Sequence, residues 1–116
     1  MDDVGLVVVS RFRVPVAQRG EAAVEEFRAG LHDAHAALAA RPGYVGGHVG
    51  RNLDEPDLWL LSTSWADVGS YRRALSSYDV KVSAVPLLSQ AVDEPSAYET
   101  DALGVATNQQ RPRELR

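Results

Sequence analysis

The chain has no cysteine, no excess of basic residues and no long apolar run. Each shortage removes a class of function. Without cysteine there is no disulfide, no thiolate nucleophile, no iron–sulfur cluster and no cysteine-ligated zinc site. A bilayer span needs roughly 20 consecutive apolar residues, and none exists here. The start Met1-Asp2-Asp3 lacks the positive charge and apolar stretch of a secretory signal, so a cytoplasmic protein is expected. Twelve basic against sixteen acidic residues, a formal net charge of −4, are scattered over both halves. That leaves no basic stripe for a phosphate backbone, and nucleic acid is not an expected partner. Gly-x-Ser-x-Gly is also missing, which sets serine hydrolysis aside.

What remains is a chain of 116 residues, 45% hydrophobic and 24% charged, which suits one globular domain with one core. No internal repeat or domain boundary interrupts it. Residues 5–14 are rich in β-branched side chains, and Phe12 and Val14 alternate with Arg11 and Arg13, which predicts a strand ended by Pro15. From about Gln18 to Ala40 the period changes. Val24, Phe27, Leu31, Ala34 and Leu38 form one stripe at three- and four-residue spacing, the mark of a long amphipathic helix, stopped by Arg41-Pro42-Gly43. Tyr44–Arg51 reads as a second strand with Gly46-Gly47 suggesting a bulge, and NLDEPD as a turn. In the third strand, Leu58–Trp65, alternation puts Trp59, Leu61, Thr63 and Trp65 on one face and Leu58, Leu60, Ser62 and Ser64 on the other.

Asp67 is placed to cap a short helix running through about Leu75 that carries Tyr71. Residues 79–92 read as helix in two pieces, the second beginning at Pro86, and residues 96–100 as a last short strand. Residues 1–100 thus form the domain, and residues 101–116, polar and without periodicity, are expected to be a flexible tail. The order of elements is that of a ferredoxin-like split βαβ domain: α+β, a four-stranded antiparallel sheet with helices on one face. The other sheet face, with Val7 and Val9 or their alternates, needs a cover, and a homodimer joined through the sheet faces supplies one.

The first helix ending in RPGYVGG, the strand LWLLSTSW and the later VPLLSQAVDEPSAYE resemble the antibiotic biosynthesis monooxygenase superfamily over about residues 5–100. That resemblance implies a dimeric α+β barrel and, in some members, oxidation of electron-rich polyphenols by O2 without a cofactor. In those members a tryptophan ends the third strand and a tyrosine follows six residues later, a spacing matched by Trp65 and Tyr71. The sequence departs from the pattern at two places. The asparagine expected four residues before the tryptophan is Leu61, which has no hydrogen bond to offer a substrate oxygen, and the glutamate expected two before it is Thr63. Haem-degrading relatives ligate iron through a later histidine, whereas the last histidine here is His48, so haem is not implied.

The candidate catalytic residues are His48, Tyr71 and Trp65, and the candidate substrate-binding residues are Tyr44, Trp59, Leu61, Trp65 and Tyr71. Trp65 and Tyr71 can stack a small aromatic substrate, with the phenol hydroxyl serving a developing oxyanion, or can equally be packing where sheet meets helix. His48 offers an imidazole that can act as a base, or is a structural histidine. His32 and His35 have no third ligand at a metal-binding spacing and read as a solvated helix flank. No metal and no cofactor is expected. Gly43, Gly46, Gly47 and Gly50 are followed by a strand rather than the helix a phosphate loop needs, and Arg72 and Arg73 read as a solvated helix face. The reading that follows is a cofactor-independent monooxygenase acting on a polyphenol, anthrone or quinol. Its rivals are a non-catalytic binding or scaffold domain and a polyketide isomerase or cyclase working by proton transfer.

Overall fold

A computed structural model of the chain describes residues 5–101. The tail expected beyond Asp101 lies outside them. The elements run β1 (Leu6–Arg13), α1 (Val16–Arg19), α2 (Glu21–Ala39), β2 (Tyr44–Arg51), β3 (Leu58–Trp65), α3 (Val68–Ser76), α4 (Tyr78–Ser83), α5 (Val85–Leu88) and β4 (Ala97–Glu99). The sheet order is β2-β3-β1-β4, with antiparallel pairing throughout. This is the ferredoxin-like α+β arrangement. Among the described residues no helix is long and apolar enough to cross a membrane.

Alternation along the strands divides the sheet into two faces. Leu6, Val8 and Phe12 of β1 pair across from Trp65, Thr63 and Trp59 of β3, and all six are buried beneath the helices. The stripe Val24, Phe27, Leu31, Ala34 and Leu38 of α2 closes over them. Val7, Val9, Leu60, Ser62 and Ser64 occupy the opposite face and are only half-buried.

Two boundaries differ from the sequence expectation. The helix expected from Gln18 is divided at Gly20, whose φ of 84° and ψ of 162° cannot continue a helix, so Gln18 and Arg19 belong to the short α1. The late helical region ends at Leu88 rather than Val92, because the Val92 amide is taken by Arg11 O on β1 at 2.8 Å. From there the chain runs beside β1, held by a two-bond pairing of the Arg11 guanidinium with the Glu94 carboxylate, both 2.7 Å. Arg11 accordingly holds the Glu94 carboxyl below its ordinary value.

Candidate functional site

Four element ends converge at one corner of the domain: the last turns of α2, the start of β2, the end of β3 and the start of α3. Gly43 makes the convergence possible. Its φ of 91° turns the chain from α2 into β2, its carbonyl accepts from Ala66 N at 2.8 Å, and an added Cβ would collide with the Ser70 side chain. Asp67 then starts α3, its side chain accepting from Ser70 N at 2.7 Å. That backbone hydrogen bond is the main reason the Asp67 carboxyl titrates below the usual range.

The corner holds a row of rings. Trp65, 1% exposed, lies between two tyrosines: Tyr44 edge-on at 5.5 Å between centroids, and Tyr71 tilted at 5.6 Å. Its indole N–H donates to Thr63 Oγ1 at 2.9 Å, so a threonine at the position of the expected glutamate satisfies a buried donor. Tyr44 and Tyr71 are both partly exposed, and burial pushes both phenols above their ordinary pKa. They remain protonated near neutrality, and the Tyr71 hydroxyl can donate a hydrogen bond to an oxyanion. The indole is buried between them.

Beyond Tyr44 the row continues to His35, whose Nε2 lies 2.6 Å from the Tyr44 hydroxyl. His35 is half-buried, and its pKa is lowered first by that burial and then by His32 and His48. The sequence reading assigns it to a solvated helix flank, whereas the structure half-buries it against Tyr44. A usable signal existed: His35 sits one position past Ala34 and between Leu31 and Leu38, at the border of the buried stripe rather than on the outer helix face.

The other expected residues are elsewhere. His48 pairs with Ser62, is exposed, and stands on the sheet face opposite Trp65 and Tyr71. Leu61, 2% exposed, is packed in the core between Ser10 and Val49 in the sheet register. Trp59 shares the face of Trp65 but stands six residues away, about 20 Å along the strand. It packs against Phe27, lies beneath the Arg51 guanidinium at 4.7 Å, and borders a separate cleft of about 380 Å³ at the β2–β3 hairpin.

The fold is that of a small ferredoxin-like α+β domain, with an aromatic cluster where sheet meets helices. A family profile described as antibiotic biosynthesis monooxygenase matches residues 6–84, and the chain belongs to that family. Solved structures share the architecture. An asparagine-to-alanine variant of SnoaB, a cofactor-independent oxygenase from Streptomyces nogalater, is 24% identical over 87% of this chain and 98% of its own, with a TM-score of 0.68. A conserved protein from Methanosarcina mazei is 22% identical over 84% and 94%, with a TM-score of 0.66. A protein from Shewanella oneidensis is 13% identical over 85% and 93%, with a TM-score of 0.65. At these identities the likeness is one of fold. No curated protein sequence matches.

Proposed function

We propose that this chain is a cofactor-independent monooxygenase that oxidises an electron-rich polyphenol, anthrone or quinol with O2. Family membership supports the reaction class, and the observation that carries the site is the buried Trp65 held between the two partly exposed tyrosines. A planar substrate can reach the two tyrosine rings by offset or edge contacts, with Trp65 buried behind them. Loss of a proton turns it into an electron-rich anion, and the Tyr71 hydroxyl donates to the charge that develops. The anion transfers one electron to O2, and radical and superoxide combine to a peroxide at the same carbon. Loss of water then leaves a quinone, so one oxygen atom enters the product and the other leaves as water. Purified protein given 1,8-dihydroxyanthrone in air is expected to consume oxygen and form the anthraquinone at least tenfold faster than buffer, read by an oxygen electrode and product mass. A rate equal to the buffer control rejects the reading.

The proton-transfer alternative, an isomerase or cyclase, draws support from the His35–Tyr44 hydrogen bond, and product mass separates it because it adds no oxygen.

We also infer a homodimer joined through the half-buried sheet face of Val7, Val9 and Leu60. An apolar sheet face is stable in water only when covered, and a two-fold pairing also shields strand edges. Sedimentation at micromolar concentration is expected to give twice the chain mass of 12.6 kDa, and a single-chain mass there rejects the pairing.

A further inference from the structure

The oxidation proposed above needs a proton acceptor beside the rings, and the one histidine placed against them is His35. We propose that Tyr44 and His35 act together as the base of this site: the Tyr44 oxygen takes the substrate's proton while its own proton passes to His35 Nε2. The inference rests on the reading that the substrate ionises beside these rings.

Three features carry it. The 2.6 Å separation of His35 Nε2 and the Tyr44 hydroxyl is a short hydrogen bond in a half-buried setting. Tyr44 is the partly exposed ring that touches both His35, at 5.8 Å between centroids, and Trp65, at 5.5 Å, so it links the histidine to the aromatic row. Gly47 lets the bond form, since the pair occupies the place of a side chain: an added Cβ there would lie 2.9 Å from the Tyr44 hydroxyl, 3.1 Å from His35 Nε2, and within collision distance of Ser62 O.

The proton balance is simple. The substrate O–H or C–H bond breaks and a Tyr44 O–H forms, while the original Tyr44 O–H breaks and an N–H forms at His35. Tyrosine begins and ends neutral, the imidazole becomes imidazolium, and the substrate leaves as the anion that meets O2. Tyr44 is the catalytic residue because it touches the substrate. His35 acts through it and is a positioning residue.

The arrangement requires a neutral His35 with its proton on Nδ1. The titratable groups that bear on it are His32 on α2 and Tyr44 and His48 on β2, and both histidines oppose a positive charge there, as burial does. The folded pKa is therefore depressed. The base is present above that value and is lost as pH falls through it, which puts the acid limb of the rate below the ordinary histidine range.

The test separates proton transfer from oxidation by using 1,8-dihydroxyanthrone without air and following the anion by absorbance. Wild-type protein is expected to ionise the bound anthrone, with an acid limb below pH 6.5. His35→Gln and Tyr44→Phe are expected to slow ionisation by a factor of about ten to a hundred and to lose that limb. Ionisation by His35→Gln at the wild-type rate with the wild-type limb overturns the proposal. A second measurement needs no variant: nitrogen chemical shifts of the wild-type histidines must show His35 Nε2 unprotonated at neutral pH, and a proton on Nε2 overturns the relay. Anaerobic ionisation without oxygen uptake in air keeps the pair as base and rejects the monooxygenase. Oxygen uptake that is unchanged in His35→Gln does the reverse, and neither ionisation nor uptake in the wild type rejects both.

Discussion

Leu61→Asn is expected to lower the unfolding free energy by about 3–5 kcal/mol and to bring no gain in oxidation, although it installs the amide expected at this position. Leu61 is 2% exposed and part of the core under α2. Trading a buried leucine for a smaller side chain costs about 2–5 kcal/mol in transfer and cavity terms. The new amide brings two donors and an acceptor into the same place. Ser10, directly across on β1, can engage one of them, and Val49, across on β2, can engage none. Unpaired amide groups add about 1–3 kcal/mol, which the Ser10 bond recovers in part. Urea denaturation with an unchanged m-value is the measurement, and a loss under 1 kcal/mol would show that the core around Leu61 accommodates polar groups.

Gly43→Ala is expected to cost about 3 kcal/mol, from backbone and packing together. A φ of 91° lies where an L side chain is strained, by about 1–2 kcal/mol. The added methyl also meets Ser70 Oγ and Cβ, and Ser70 is 6% exposed with its amide fixed by the Asp67 cap. It cannot retreat without moving α3, and Tyr71 moves with it. Combining Gly43→Ala with Ser70→Gly removes the collision and leaves the dihedral strain. A double-mutant cycle is therefore expected to show at least about 1 kcal/mol of coupling between the two positions. Strict additivity would mean that α3 shifts freely and that the corner is not held by this contact.

Much of this architecture was legible in the chain. The period-two pattern of LWLLSTSW assigns Trp59, Leu61, Thr63 and Trp65 to one face, and all four are buried under the helices. The three-and-four spacing in α2 names the five residues that are buried there. Asp67 as a cap follows from its position before a helical segment, and the cap is made. Gly20 was not legible as a break, because helices admit glycine and only its positive φ ends the helical path. A histidine near aromatic residues was legible only in kind. Which histidine lies beside the rings depended on sheet face. His48 and Gly47 are neighbours in sequence, and alternation sends His48 to the far side while Gly47 leaves space for His35 and Tyr44 on the near side.

Local periodicity and turn chemistry act over a few residues, and they determined the strands, the buried stripe of α2 and the α+β order. The placement of His35 against Tyr44, and of both beside Trp65, was decided by the tertiary structure. Those contacts depend on how a helix settles on a sheet, which is set by packing between residues distant in the chain: the absence of a side chain at Gly47, a left-handed turn at Gly43 and the register of β2 on β3.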